Sequence, residues 1–141
     1  MAGILVFVEQ RDGEIRKASQ QALSEAKRLG GTVTAVLPGS GVGDSAAGLG
    51  SFGAEKVFVA DDANLGMYSA EGYGEAVAKA AEQMQPDAIF FAGTAMGRDL
   101  APRVAAAAAD LVAVAGVGDL VPRGDGVDVR GVRREGNPHA G

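Results

Sequence analysis

Apolar runs alternate with amphipathic segments along this chain, and this alternation limits its fold more than any other feature. The first run, Ile4–Val8, is continuous and contains β-branched residues, which is typical of a parallel strand buried on both faces. Further strands are predicted at 33–37, 56–60, 88–92 and 111–117, and helices at 18–29, 69–84 and 98–109. Strands that alternate with helices predict an α/β fold, in which a doubly wound, mainly parallel sheet carries helices on both faces.

The C-terminal region has a different pattern. Apolar and polar residues alternate on both sides of a turn at Arg123–Gly126, which predicts a C-terminal β-hairpin extension formed by Leu120–Pro122 and Val127–Arg130. No linker, repeat or low-complexity segment interrupts the sequence. We therefore expect residues 1–141 to form a single domain.

Composition argues against several classes of function. The chain has 13 basic and 18 acidic residues and a formal net charge of −5, whereas nucleic-acid binding calls for a basic face. Cysteine is absent and His139 is the single histidine, so the chain itself can form neither a disulfide nor a multi-histidine metal site. The sequence has no recognisable signal or transit peptide and no apolar run long enough to span a bilayer. We expect a cytoplasmic protein without membrane insertion.

The loop after the fourth predicted strand contains the main candidate site. Gly93 and Gly97 permit close backbone approach, and Thr94 offers a hydroxyl group. Arg98 could pair with a phosphate or with a carboxylate on another chain, and Asp99 lies beside it. Such loops are where open α/β sheets bind their ligands, so these five residues are candidates for cofactor binding or partner contact. Alternatively, Asp99 only caps a helix that begins near Arg98, and Arg98 is an ordinary surface residue.

A glycine-rich segment offers a second, weaker candidate. Residues 41–46 match the pattern G-x-G-x-x-A, and Asp61 follows at about the distance of a ribose-binding carboxylate. The segment follows the second predicted strand rather than the first, and the helix after it is short. We therefore interpret it as a flexible connection with a short helix over residues 45–47.

The remaining polar candidates favour ordinary structural roles. Glu9 follows the first strand and is interpreted as a solvated turn residue. Asp61 and Asp62 are expected to end a strand rather than bind a cation, and His139 to lie in a solvated tail. No P-loop, nucleophile elbow or catalytic triad pattern is present, so we do not expect an enzyme.

Five segments, in the same order along the chain, resemble the alpha subunit of electron-transfer flavoproteins. The most specific is Gly97–Arg103, with the sequence GRDLAPR, and the five segments are 5–13, 37–42, 53–61, 68–73 and 93–106. The resemblance implies a Rossmann-like N-terminal domain of an alpha subunit. It also implies a heterodimer with a beta subunit, which carries electrons on FAD from acyl-CoA or other dehydrogenases to a quinone reductase.

The resemblance covers a limited part of that family's architecture. The family's alpha subunits are much longer and hold FAD mainly in a C-terminal domain, which this sequence does not contain, and its AMP lies in the beta subunit. The resemblance therefore implies that this chain binds no cofactor alone and mainly supports subunit assembly. The alternative from a different class is a universal-stress-type module that binds ATP or AMP.

Overall fold

The computed structural model describes residues 3–107 and four further strands, with side chains described through residue 106. The strands are β1 (Gly3–Phe7), β2 (Gln10–Arg11), β3 (Glu14–Ile15), β4 (Thr32–Gly39), β5 (Lys56–Asp61), β6 (Ala88–Phe91), β7 (Ala113–Gly116), β8 (Val121–Arg123), β9 (Gly126–Asp128) and β10 (Gly131–Val132). The helices are α1 (Lys17–Arg28), α2 (Ala70–Met84) and α3 (Ala95–Ala107), and two 3-10 helices span Gly43–Phe52 and Ala63–Leu65.

The main sheet confirms the predicted doubly wound architecture. Its strand order is β10-β7-β6-β1-β4-β5, and every neighbouring pair is parallel except β10 with β7. From β1 the chain builds outward through β4 and β5, then crosses to the other side of β1 to form β6 and β7. This reversal puts the topological switch point, where such sheets bind ligands, beyond the carboxyl ends of β1 and β6.

Two hydrophobic cores cover the two faces of the sheet because successive side chains of a strand point to opposite sides. On one face, Leu5 and Phe7 of β1 belong to a cluster that also contains Tyr73 of α2 and Leu100 of α3. On the other face, the intervening β1 residues pack in a cluster that includes Leu23 of α1. Helices therefore lie on both faces, as the sequence predicts.

Most predicted elements occur within a few residues of their expected positions. The Ser69 hydroxyl caps α2 by accepting a hydrogen bond from the Gly72 N–H at 3.2 Å. The C-terminal hairpin is confirmed by the antiparallel pair β8 and β9, while its turn at residues 124–125 and the tail with His139 lie outside the described residues. The sequence analysis missed the hairpin β2–β3, whose turn residues Asp12 and Gly13 have φ of 53° and 85°. It also missed the antiparallel strand β10.

The predicted start of α3 at Arg98 is wrong. The helix begins at Ala95, so Pro102 lies in its interior rather than in its first turn. A proline there has no N–H to donate to the carbonyl four residues earlier, which belongs to Arg98. Both residues are exposed, so this carbonyl can be hydrated instead.

Asp61 fixes the start of the glycine-rich segment 41–46 through a hydrogen bond within the chain. Its Oδ1 accepts a hydrogen bond from the Gly41 N–H at 2.7 Å. Its neighbour Asp62 accepts one from the Asn64 N–H at 2.8 Å and caps the second 3-10 helix. The carboxylate that matches a ribose-binding position in sequence therefore fixes a loop, and β5 ends at Asp61 as predicted.

No described helix is long and apolar enough to cross a membrane. Within the described part of the chain, no three histidine, aspartate or glutamate side chains are grouped so that they could hold a metal ion.

Candidate functional site

Glu9 occupies the switch point, and its expected role as a solvated turn residue is wrong. It lies just after β1 and is only 7% exposed. Its carboxylate accepts a hydrogen bond from the Thr94 hydroxyl, which follows β6. Its own N–H donates to Ser19 Oγ at 2.8 Å, and its carbonyl accepts from the Arg16 N–H at 2.9 Å. Glu9 thus joins the ends of β1 and β6 to the start of α1.

Thr94 caps α3, and the alternative role of Asp99 as a helix cap is therefore wrong. The Gly97 N–H donates to Thr94 Oγ1 at 3.0 Å, and the Arg98 N–H donates to the Thr94 carbonyl at 2.9 Å. The same hydroxyl donates to Glu9, so it serves as acceptor and donor at once. One side chain thereby joins the start of α3 to the end of β1.

Gly97 is required by a close approach within the chain. A Cβ atom built on Gly97 would lie 1.9 Å from the carbonyl oxygen of Ala92, at the end of β6. The sequence analysis expected close backbone approach at Gly93 and Gly97, and at Gly97 the approaching group is the chain's own backbone. Gly93 lies partly exposed in the bend between β6 and α3.

Asp99 belongs to a small polar cluster at the surface, and the sequence analysis missed its main partner, Tyr68. Tyr68 Oη donates to Asp99 Oδ2 at 2.6 Å, and Arg103 Nε lies 3.5 Å from Asp99 Oδ1. The Tyr68 ring packs edge-on against Tyr73, with ring centroids 5.1 Å apart. The available signal was the position of Tyr68 directly before the α2 cap Ser69, within one of the family-like segments.

The cluster shifts the titration of its members. Burial and the hydrogen bond to Asp99 raise the pKa of Tyr68 to about 12. The same hydrogen bond lowers the pKa of Asp99, and Arg103 acts in the same direction. Burial also raises the pKa of Tyr73, whose hydroxyl donates to the Leu65 carbonyl at 2.8 Å. The neutral phenol beside an ionised carboxylate is the favoured state of the Tyr68–Asp99 pair.

Arg98 differs from the other candidates because its exposed charge forms no ion pair with a described residue. The ion pairs formed among the described residues involve Lys27, Arg28, Lys79 and Arg103, and none of them includes Arg98. Of the five predicted site residues, Thr94 and Gly97 shape the chain itself, and Asp99 is held by Tyr68. Among these five residues, Arg98 is therefore the one whose charge can pair with a group of another molecule.

The switch point does not fit the phosphates of a dinucleotide. Phosphate binding at a helix N-terminus uses free backbone N–H groups and the positive end of the helix dipole. Here the Gly97 N–H is taken by Thr94, and the Thr94 hydroxyl is engaged by the carboxylate of Glu9. A phosphate here would compete for the Thr94 hydroxyl and the Gly97 N–H and would approach the buried carboxylate of Glu9, which disfavours phosphate binding at these three residues.

Comparison with known proteins identifies the family. Residues 4–120 match the family model described as the electron transfer flavoprotein domain. The chain belongs to the electron transfer flavoprotein family. An electron transfer flavoprotein subunit alpha from Syntrophomonas wolfei subsp. wolfei is 43% identical over 105 residues, which cover 74% of this chain and 33% of that subunit. This chain thus spans about a third of the length of the curated relatives it matches.

Two further relatives of this chain have names that mention specific redox systems. The acryloyl-CoA reductase electron transfer subunit beta of Anaerotignum propionicum is 35% identical, over 73% of this chain and 29% of that subunit. The lactate dehydrogenase (NAD(+),ferredoxin) subunit LctC of Acetobacterium woodii is 34% identical, over 74% of this chain and 26% of that subunit. The similarity therefore extends to proteins named as subunits of a reductase and of a dehydrogenase.

Gly97→Ala is expected to lower the free energy of unfolding by at least about 2 kcal/mol, because the new Cβ must push the start of α3 away from the Ala92 carbonyl. Urea unfolding followed by circular dichroism measures the change. Gly74→Ala in α2 is the matched control, since its Cβ would meet Leu100 Cδ1 at an ordinary 3.8 Å. The control should keep or gain stability, because alanine is favoured over glycine in helices by about 0.5–1 kcal/mol. Equal stability of the two variants would contradict this account.

Both tyrosines should have a pKa above the ordinary tyrosine value, and Asp99→Asn should lower the pKa of Tyr68 alone. The substitution removes the charge that contributes to the raised pKa of Tyr68, so this pKa should fall below about 12 but stay above 10.0 because burial remains. The pKa of Tyr73 is raised by burial and should not change. Ultraviolet absorbance of the phenolates measures both groups, because the chain has two tyrosines and no tryptophan.

The raised pKa of Tyr68 also determines how the stability of the fold changes in alkaline solution. The folded-state pKa of Tyr68 lies above its unfolded value, so the neutral phenol stabilises the fold. This contribution is fully present below a pH of about 10 and is lost as the pH rises towards about 12. An unchanged Tyr68 titration in Asp99→Asn would show that the carboxylate does not control the phenol.

Proposed function

We propose that this chain is the Rossmann-like domain of an electron transfer flavoprotein alpha subunit and that it mainly supports assembly with the beta subunit. The complete heterodimer carries electrons on FAD, and the chain itself performs no catalysis. The internal contacts at the switch point carry the proposal, because the buried Glu9 carboxylate, the Thr94 hydroxyl and the Gly97 N–H bond to one another's elements and disfavour a phosphate there. The match to about a third of several alpha subunits supports it independently.

The class of redox partners follows from the relatives. Two of them are named as subunits of an acryloyl-CoA reductase and of a lactate dehydrogenase. We extend this to the complex of this chain and propose acyl-CoA or other dehydrogenases as electron donors and a quinone reductase as acceptor. The described residues do not fit a dinucleotide at the switch point, so we assign no step of electron transfer to side chains of this chain.

The alternative function, a universal-stress-type module that binds ATP or AMP, is not favoured. Such a module requires an open phosphate site at the carboxyl edge of its sheet. At the corresponding edge of this chain, the buried carboxylate of Glu9 accepts the Thr94 hydroxyl bond. Family membership also points away from this class.

The assembly role predicts that the chain forms a complex with the beta subunit and lacks flavin when purified alone. Co-production followed by size-exclusion chromatography measures the complex, and the visible absorbance spectrum of the isolated chain measures the flavin. Retention of stoichiometric flavin by the isolated chain would show that it has a complete flavin site. Failure to form a complex would rule out the assembly role.

Nucleotides should not stabilise the chain. A ligand that binds only the folded state at a hundred times its Kd adds about 2.7 kcal/mol to the free energy of unfolding, which a thermal melt detects readily. We expect no upward shift of Tm with millimolar ATP or AMP. A clear shift that Arg98→Ala abolishes would support the stress-type module instead.

A further inference from the structure

The two tyrosines, Tyr68 and Tyr73, are the side chains of this sequence that lose a single electron most readily. The sequence contains no tryptophan and no cysteine, which would otherwise compete with tyrosine for a one-electron oxidant. Methionine is oxidised mainly by addition of oxygen to its sulfur, which is a reaction of a different class. A single electron withdrawn from this chain therefore comes from one of the two tyrosines.

The hydroxyl groups of the two tyrosines donate hydrogen bonds to acceptors of very different basicity. Tyr68 Oη donates to the carboxylate oxygen Oδ2 of Asp99 at 2.6 Å. Tyr73 Oη donates to the main-chain carbonyl of Leu65 at 2.8 Å. A carboxylate can take up a proton, whereas a peptide carbonyl oxygen only accepts a hydrogen bond. Of the two tyrosines, Tyr68 alone is bonded to a described group that can take its proton.

The fate of the phenolic proton decides which tyrosine is oxidised more easily. A neutral phenol that loses an electron becomes a radical cation, which is a strong acid and is high in free energy until its proton leaves. At Tyr68 the proton can move along the existing hydrogen bond to Asp99 as the electron leaves. At Tyr73 the hydrogen-bond partner cannot take the proton, so the unfavourable radical cation must form first.

The surroundings of the pair favour the same outcome. Tyr68 is partly exposed and therefore accessible to an oxidant, whereas Tyr73 is only 4% exposed. The hydrogen bond from Tyr68 lowers the pKa of Asp99, which keeps the carboxylate ionised and ready to accept a proton at neutral pH. The two rings lie edge-on with centroids 5.1 Å apart, so a charge that arises on Tyr73 can pass to Tyr68.

We propose that Tyr68 is the site at which one-electron oxidants oxidise this chain, with Asp99 as the acceptor of its proton. The oxidant gains one electron, the O–H bond of Tyr68 breaks, and an O–H bond forms on Asp99 Oδ2. The products are a neutral tyrosyl radical, a protonated Asp99 and the reduced oxidant. Reduction of the radical by a one-electron donor returns the proton to Tyr68 Oη. This inference does not depend on the proposed assembly role.

The test oxidises the purified chain with photogenerated tris(bipyridine)ruthenium(III) and follows the tyrosyl radical by transient absorbance. Tyr68→Phe should slow radical formation at least about tenfold, because a positioned proton acceptor typically contributes about a hundredfold or more. Tyr73→Phe should leave the rate nearly unchanged. Met67→Leu is the control for the exposed methionine beside Tyr68 and should also keep the rate. Fast radical formation in Tyr68→Phe would overturn the proposal.

Asp99→Asn tests the proton acceptor. Asparagine can still accept the hydrogen bond through its amide oxygen, but it cannot take the proton. Radical formation should therefore slow at least about tenfold. It should recover as the phosphate concentration rises, because hydrogen phosphate can replace the carboxylate as the base. The rate of the unmodified chain should not depend on the phosphate concentration. An unchanged rate in Asp99→Asn would show that the proton goes to solvent and would overturn the role of Asp99.

Arg103→Gln changes the carboxylate in the opposite direction. Arg103 lowers the pKa of Asp99, so its removal makes Asp99 a stronger base, and radical formation should become faster or stay equally fast. Slower radical formation in this variant would contradict the role of Asp99 as the base. Asp99 and Arg103 are exposed, so the Tm of their variants should stay close to that of the unmodified chain. Thermal melts check the folding of every variant.

Discussion

The hydrogen bond between the Thr94 hydroxyl and the Glu9 carboxylate joins the two halves of the sheet at the point where its winding direction reverses. Glu9 follows the central strand and is also bonded to α1, while Thr94 caps α3. Removing the Thr94 hydroxyl would leave the buried Glu9 carboxylate without this bond, which costs more than the loss of an ordinary exposed contact. The position of α3, and therefore the orientation of Arg98 and Asp99, depends on this contact.

The same contact distinguishes this switch point from the open switch points of ligand-binding α/β sheets. In a doubly wound fold the loops at the switch point normally leave backbone donors for a ligand. Here the Gly97 N–H is bonded to Thr94, and a Cβ atom on Gly97 would lie 1.9 Å from the Ala92 carbonyl oxygen. What remains accessible is the outer face of α3 and the adjoining loop, where Tyr68 holds Asp99 and leaves Arg98 exposed.

The sequence predicts the architecture well because the strands are continuous apolar runs and the α1 and α2 patterns are strongly periodic. Local signals also suffice for the cap residue Ser69, because the Gly72 N–H that donates to its hydroxyl lies only three residues away in sequence. They fail for Glu9, since its burial depends on Thr94, which is 85 residues away in sequence. They fail for the start of α3 because Gly97 disfavours a helix locally. The close packing of Gly97 on β6 is visible only in three dimensions.

The central position of β1 has a consequence for how the chain folds. It precedes the other described strands in sequence, yet it pairs with β4 and β6, and β6 begins at Ala88. Contacts between residues so distant in sequence close large loops before they contribute stability, which slows folding. Until β6 and Thr94 are in place, the central strand lacks one of its neighbours and the Glu9 carboxylate lacks its donor. The segment from β1 to β5 is therefore poorly stabilised without β6, and the parallel sheet is built to fold cooperatively.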